Sequence, residues 1–189
     1  MAHDDAPGSL DYRLYYWPSI PGRGEFVRLV LEQAGAAYDD VARRPEEDGG
    51  GIPALLACLR GEGPGLRPLA PPVLVHGSRR LAQMPNVCAY LAARHGLAPS
   101  DEGGRAEALQ LQLTLVDLIA ETHDTHHPVG KSQYYEEQQD AALVYTRQFV
   151  DHRMPKFLRY FESVLQANRS GGGRYLVGDA LSYVDLTMA

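Results

Sequence analysis

The sequence is short of cysteine, of net positive charge and of long apolar runs, and each shortage excludes a class of protein. Only two of its 189 residues are cysteines, Cys58 and Cys88. This argues against a disulfide framework and favours a reducing, cytoplasmic location. The formal net charge of -6 argues against nucleic acid as a partner. No apolar run reaches the roughly 18 residues that a membrane-spanning helix needs, so no membrane partner is expected.

The first ten residues, MAHDDAPGSL, also lack the apolar stretch of a secretory signal. We predict that they form a disordered leader. The rest of the chain is ordinary for a globular protein, because 44% of all residues are apolar. Its length suits one large domain or two small ones, with a substantial core.

The first half of the chain alternates between segments typical of strands and of helices. The stretch "DYRLYYW" is short and aromatic, which indicates a strand that Pro18 ends. From Arg23 to Ala34 apolar residues recur at helical spacing, and Gly35 stands where a C-cap glycine belongs. The predicted order is β-α-β-α-β-β-α. The later elements are a strand within 36–44, a short helix at 52–60, hairpin strands at 73–75 and 80–82, and a helix at 84–96.

After Gly96 the pattern becomes purely helical. A polar segment, "LAPSDEGGR", is typical of a linker. Helices are predicted at 105–126, 133–150 and 154–168, and Ser182 with Asp185 forms a Ser-x-x-Asp capping box for a last helix. The sequence therefore predicts an α+β domain at 11–96 and an all-α domain at 105–189.

A proline before a predicted strand indicates where a ligand binds. Pro72 precedes Val73, and an X-Pro bond at the start of a strand is a place where cis isomers are tolerated. A strand that begins with cis-proline, beside the N-terminus of the first helix, is the ligand edge of a thioredoxin-like domain. No cysteine lies near Tyr16 to Arg28, so dithiol redox chemistry is disfavoured.

Three segments carry a resemblance to a known family. They are "YYWPSIPGRGEFVRLVLEQAG", "PPVL" followed by "LAQMPNVCAYLA", and "YLVGDALSYVD". In this order and rough spacing the chain resembles the cytosolic glutathione S-transferases from Tyr12 to Ala189. The resemblance implies a thioredoxin-like domain followed by an all-helical domain, a homodimer, and glutathione as co-substrate. Family members continue beyond the last helix begun here, so we expect a truncated product or a fragment.

In the tyrosine-type classes of that family, the resemblance implies that Tyr16 donates a hydrogen bond to the glutathione sulfur. A free thiol with a pKa of about 8.5 is mostly protonated at neutral pH, and only the thiolate is a good nucleophile. The positive end of the helix near Arg23 would also stabilise the anion, and Arg23 is expected beside the sulfur. Ser19 is a rival, since other classes use a loop serine. Tyr15 should face the opposite side of the strand.

The resemblance implies that the rest of glutathione binds along the proline-led strand and the next helix start. Pro71 has no N–H, so one of two expected backbone hydrogen bonds is lost, at a cost of about 1 kcal/mol. Met84 replaces the family's serine and brings no hydroxyl to the γ-glutamyl carboxylate. The predicted glutathione site comprises Tyr16, Trp17, Arg23, Pro71, Pro72, Gln83 and Met84.

Two further features are compatible with more than one role. His123 and His127 share a helical face, and a metal site there is conceivable, but pocket lining or plain surface is favoured and no metal is predicted. Glu121 falls near the place where related enzymes have an acid that reaches the γ-glutamyl amine across the dimer. It is equally compatible with a solvated helix face.

Three functions remain open at this point. The first is a glutathione S-transferase that adds the glutathione thiolate to a small hydrophobic electrophile. The second is a non-catalytic binding protein of the same fold, which the departures at Pro71 and Met84 favour. The third is a glutathione-dependent isomerase, which would use the same residues.

Overall fold

A computed structural model describes residues 12–189 of the chain. The leader predicted for the first ten residues lies outside this range. The chain divides into two compact units, the first ending at Ala98 and the second running from Pro99 to Ala189. Across residues 12–189, no helix is both long and apolar enough to cross a membrane.

The first unit contains one mixed sheet. Its strand order is β2-β1-β3-β4, with β2 parallel to β1 and the other two neighbouring pairs antiparallel. Leu14 lies opposite Leu74, both are fully buried, and together they mark the centre of the core. Only the middle of the stretch predicted as a strand at 36–44 is extended, because a 3-10 turn follows it. The strands are β1 (Tyr12–Tyr15), β2 (Tyr38–Asp40), β3 (Val73–His76) and β4 (Arg79–Ala82).

Three helices cover the two faces of this sheet: α1 (Gly22–Ala34), α2 (Gly51–Arg60) and α3 (Met84–His95). The predicted element order is thus confirmed, and Gly35 ends α1 in the left-handed conformation, with φ 61°. The helices α1 and α3 pack on the face of the sheet that carries Tyr12, Leu14 and Tyr16, and α2 packs on the other face. The fold class, thioredoxin-like followed by all-α, is confirmed.

The second unit is helical throughout its regular structure. Asp101 caps its first helix by accepting a hydrogen bond from the Gly104 N–H at 2.8 Å. A five-residue π-helical turn, Phe149–Arg153, joins the second and third helices. The helices are α4 (Glu102–Asp124), α5 (Gln139–Gln148), α6 (Met154–Ala167) and α7 (Tyr183–Met188).

The prediction that the second of these helices begins at residue 133 was wrong, because α5 begins at Gln139. The cause is the Gln138 side chain, which is buried and satisfies the backbone of the preceding loop. Its Oε1 accepts from the Val129 N–H at 3.0 Å, and its Nε2 donates to the carbonyl oxygens of Gly130 and Gln133 at 3.0 and 3.1 Å. These hydrogen bonds replace helical ones, so the segment before Gln138 forms only a short 3-10 helix, Tyr135–Glu137, and no α-helix.

The predicted capping box of the last helix is confirmed. The Ser182 N–H donates to Asp185 at 2.8 Å, and the Ser182 side chain is bound to the same residue. Asp185 also accepts a hydrogen bond from the Leu176 N–H at 2.7 Å. This carboxylate therefore joins the segment before α7 to the helix start, a structural role.

Candidate functional site

Tyr16 follows β1 and begins the loop that leads into α1. Its ring is buried, with 6% of the residue exposed, and its hydroxyl oxygen accepts a hydrogen bond from the Arg23 N–H at 2.9 Å. A phenol oxygen that accepts from an amide keeps its own O–H proton to donate elsewhere. Because Arg23 lies in the first turn of α1, the hydroxyl stands at the positive end of the helix dipole.

The segment "PGRGE" at the start of α1 contains two glycines, and both lie against the Tyr16 side chain. A Cβ on Gly24 would lie 2.5 Å from Cδ1 of the Tyr16 ring, so only glycine leaves room for that ring. Gly22 has a φ of +42°, and a Cβ there would overlap the Tyr16 hydroxyl. Gly22 itself is exposed, so the Tyr16 hydroxyl that it contacts lies close to the protein surface. These two glycines of the first turn therefore let the α1 backbone pack directly against the Tyr16 side chain.

The sheet register aligns three of the predicted site segments. Tyr15 lies opposite Val73, and Val73 lies opposite Ala82. Tyr16 follows β1, Pro72 precedes the antiparallel β3, and Gln83 follows β4. Continuing the register by one residue therefore places the three next to one another at the same end of the strands. The Pro71–Pro72 peptide bond is cis, as predicted.

Gln83 and Met84 form the start of α3, where the γ-glutamyl end was expected. Gln83 has a φ of 68° and is the one non-glycine residue in the described range with positive φ, a conformation that is rare outside functional and turn positions. The Met84 side chain is only 1% exposed and packs in the core. Met84 therefore offers a ligand its backbone at the helix N-terminus, and not its side chain.

Comparison with known proteins gives the same outline as this geometry. A family model for the glutathione S-transferase C-terminal domain matches residues 123–189. A probable glutathione S-transferase of Caenorhabditis elegans is 28% identical over 182 residues, which is 94% of this chain and 77% of that protein. The crystal structure of a glutathione S-transferase from Ascaris lumbricoides superimposes with a TM-score of 0.64 at 26% identity, over 94% of this chain and 77% of that chain.

Together these matches support a protein of the cytosolic glutathione S-transferase family. A second similar structure, a glutathione S-transferase of the hookworm Necator americanus described as monomeric, has a TM-score of 0.62. It is 23% identical over 94% of this chain and 77% of that chain, so this likeness concerns the fold alone.

Arg28 lies near Tyr16 and was not among the residues predicted from the sequence. It is 3% exposed, and it binds Asp40 at 2.7 Å and Glu25 at 2.9 Å. Burial alone would lower the pKa of Arg28, but the hydrogen bonds to Asp40 and Glu25 outweigh it and raise that pKa. The guanidinium carbon is 5.9 Å from the centre of the Tyr16 ring, at the outer limit of a cation–π contact. The sequence signal that could have identified Arg28 is its position within the apolar pattern of α1.

The remaining predicted residues of the first unit differ in exposure. Trp17 and Arg23 are half-buried, whereas the rival Ser19 is exposed in the loop before α1. Tyr15 faces away from Tyr16 and lines a cavity with Cys58, as its alternation along the strand required. Burial raises the pKa of Tyr15.

Glu121, considered above for the γ-glutamyl amine, is bound within its own unit. Arg153 donates two hydrogen bonds to its carboxylate, at 2.8 and 2.6 Å. These hydrogen bonds lower the pKa of Glu121. The carboxylate thus has a structural partner on the segment before α6.

His123, in α4, and His127, just beyond the end of that helix, stack their rings on each other. The rings of His123 and His127 are 4.7 Å apart at their centroids, with an angle of 28° between their planes. In the part of the chain that the structure describes, no group of three or more His, Cys, Asp or Glu residues could hold a metal ion.

Proposed function

We propose that this protein is a glutathione S-transferase that adds the glutathione thiolate to a small hydrophobic electrophile. The observation that carries the proposal is the position of the Tyr16 hydroxyl. It is 2.9 Å from the Arg23 N–H at the start of α1, in line with Pro72 and Gln83.

In this mechanism Tyr16 stays protonated and donates its O–H to the sulfur. The thiol loses its proton to solvent, and the tyrosine hydrogen bond and the helix dipole stabilise the resulting thiolate. Each pKa unit by which the thiol is acidified corresponds to about 1.4 kcal/mol of preferential thiolate stabilisation. The thiolate then attacks the electrophilic carbon, and a new C–S bond forms as the leaving group departs or the acceptor bond opens. Arg23, with its half-buried side chain, would assist at the sulfur.

The backbone of the proline-led strand would bind the cysteinyl unit of glutathione. The Pro71 carbonyl can accept its N–H, but Pro71 cannot donate in return, and the lost hydrogen bond costs about 1 kcal/mol in affinity. At the γ-glutamyl end, the amide of Gln83 and the positive end of α3 would bind the carboxylate. Trp17, adjacent to Tyr16, would complete the site.

We also propose, from the resemblance to this family, that the protein is a cytoplasmic homodimer that acts in detoxification. The hookworm relative described as monomeric makes a monomer the alternative state. The molar mass measured by light scattering during size-exclusion chromatography at micromolar concentration tests the oligomeric state. A mass of one chain, 20.8 kDa, would contradict the dimer.

A non-catalytic glutathione-binding protein is the second candidate, and the burial of Tyr16 favours it. A ring that is 6% exposed presents only its hydroxyl edge to a ligand. If the sulfur does not reach that edge, glutathione is retained without activation.

Conjugation of glutathione to a dinitrophenyl halide, measured for the wild type, Tyr16→Phe and Tyr38→Phe, tests the proposal. Losing a hydrogen bond to a charged sulfur should lower kcat/KM about 10- to 100-fold in Tyr16→Phe. Tyr38 is the matched control, because its hydroxyl binds Glu32 at 2.8 Å away from the site and its loss should leave the rate unchanged. Equal rates for the wild type and Tyr16→Phe would contradict the proposed role. Glutathione binding without turnover in any variant would favour the binding protein.

A further inference from the structure

A second candidate site lies on the opposite face of the sheet from Tyr16. A cavity of about 460 Å³ opens between the sheet and α2, with Tyr15 of β1, Arg80 of β4 and Cys58 of α2 in its wall. This volume lies within the range of roughly 300–1,000 Å³ that is typical of small-molecule sites. The cavity does not include Tyr16, Pro72 or Gln83.

Arg80 is the residue that makes this cavity unusual. It is 6% exposed, and its Nη2 donates to the backbone carbonyl of Glu62. Its Nε and Nη1 are buried without any hydrogen-bond partner among the described residues. A guanidinium is always charged and carries five N–H donors, so such burial without a counter-charge carries a large desolvation penalty.

The other charged residues of the cavity wall do not neutralise Arg80. Asp39 is bound to Arg44 at 3.3 Å. Glu62 is bound through its carboxylate to Arg60, outside the wall, at 2.8 Å. Both carboxylates are therefore bound to other arginines. Arg13, also in the wall, forms no ion pair among the described residues, which adds to the positive charge.

The rest of the wall is apolar. Val41, Ala54, Ala57 and Val75 line the cavity together with Cys58 and Pro64. A ligand that fits this wall carries an anionic group for Arg80 and an apolar body for the valine and alanine side chains.

The loop from Gly61 to Gly65 lies directly against Arg80. A Cβ at Gly65 would be 2.7 Å from Cβ of Arg80, and one at Gly63 would be 3.2 Å from its Nη2. Both glycines have left-handed φ values, 87° and 94°. Glycine adopts this backbone conformation without strain, so the loop can lie directly against the arginine side chain in the cavity wall.

We propose that this cavity binds a small molecule with a carboxylate or phosphate group, held by Arg80 and with its apolar body against Val41 and Val75. A carboxylate or phosphate supplies two oxygens in the planar spacing that matches the guanidinium fork. The ligand binds independently of glutathione, on the face of the sheet away from Tyr16.

The test measures binding of phenyl phosphate and benzoate by calorimetry and by thermal unfolding, with neutral benzamide as control. Both anions should bind the wild type and raise its Tm, whereas benzamide should do neither. The stronger of the two anions then identifies the head group. Binding of neither anion to the wild type would overturn the proposal.

Two arginine variants locate the binding. Arg80→Gln should weaken anion binding about 10- to 100-fold. Arg79→Gln removes the same charge from the neighbouring, exposed position and should leave binding unchanged. Unchanged binding in Arg80→Gln would overturn the proposal, because it would mean that the anions act at the surface. Tyr16→Phe should retain full binding, and a loss there would place the anion at the other site and overturn the proposal too.

Cysteine alkylation of the wild-type protein tests the same proposal without relying on a variant that could fail to fold. Cys58 lies in the cavity wall, whereas Cys88 is fully buried in α3. Saturating phenyl phosphate should slow alkylation of Cys58 several-fold and leave Cys88 unaffected. Unchanged alkylation of Cys58 in the presence of bound anion would contradict binding in this cavity.

Discussion

The two faces of the sheet in the first unit each bury one arginine, and the two arginines are in opposite electrostatic situations. Arg28, on the face that carries Tyr16, is 3% exposed and has two carboxylate partners, Asp40 and Glu25. Arg80, on the face that carries the cavity, is 6% exposed and has one backbone carbonyl as partner. Equal burial therefore does not imply equal stabilisation, because the hydrogen-bonding and charged partners decide whether a buried arginine stabilises or destabilises the fold.

The same contrast holds for packing. On the Tyr16 face, glycines in the first turn of α1 press the backbone against the ring, and a tyrosine hydroxyl is satisfied by an amide. On the opposite face, a cavity remains beside a side chain with two unsatisfied nitrogens. One face is built to position a hydroxyl, and the other has room and charge for a ligand.

The largest effect is expected from removing the paired arginine. Arg28→Met should lower the free energy of unfolding by about 3 kcal/mol, because it leaves Asp40 partly buried without its main partner. Urea unfolding of the variant and the wild type measures this. Arg43→Met is the matched control: Arg43 touches the same Asp40 oxygen at 3.4 Å but is exposed, so its loss should cost well under about 1 kcal/mol. Equal losses in the two variants would contradict the special role of Arg28.

The next effect tests the close packing around Tyr16. Gly24→Ala should destabilise the protein by about 2 kcal/mol, because the added methyl group overlaps the ring. It should also lower conjugation activity, since the ring moves away from Arg23. In a Tyr16→Ala background the methyl group has room, so Gly24→Ala should then cost little. A cost that is the same in both backgrounds would show that the ring is not what excludes a side chain at position 24.

Replacing Arg80, which has no carboxylate partner, should change the free energy of unfolding in the opposite direction. Arg80→Met replaces a buried charge with an apolar side chain of similar length, and without added anions it should raise the free energy of unfolding by about 1 kcal/mol. Arg79→Met, at an exposed position, should stay within about 0.5 kcal/mol of the wild type. Chemical unfolding in a chloride buffer free of phosphate and carboxylates measures both. A clear loss of stability in Arg80→Met would remove the contrast between the two faces.

The sequence was sufficient for those parts of the fold that depend on local chemistry. The apolar periodicity from Arg23 to Ala34, the C-cap at Gly35 and the Ser182–Asp185 box all concern neighbouring residues, and all were predicted correctly. The position of Pro72 in a cis bond was predicted on the same basis. The late start of α5 was missed because Gln138 binds backbone groups up to nine residues away.

The chemistry of the candidate site was only partly predictable, for a related reason. Tyr16 and Arg23 could be paired by motif, but the sequence did not show that the Arg23 backbone, rather than its side chain, contacts the hydroxyl. Arg28 and Arg80 both interrupt apolar patterns in the same way. What separates them is a carboxylate on β2 in one case and a glycine loop in the other, and these are tertiary facts.

The smallest effect concerns the two thiols, one on each side of the sheet. Burial raises the pKa of both cysteines, and it raises that of Cys88, in α3, to about 12. Because the thiolate is the reactive form, alkylation of each should accelerate as the pH rises past 9. Cys58, beside the cavity, should react first, while Cys88 should react only at the rate of global opening. Mass spectrometry of alkylated peptides over time at pH 9 resolves the two rates. Equal rates would mean that the cavity gives no access to the α2 face, and the difference between the two faces would then be one of charge alone.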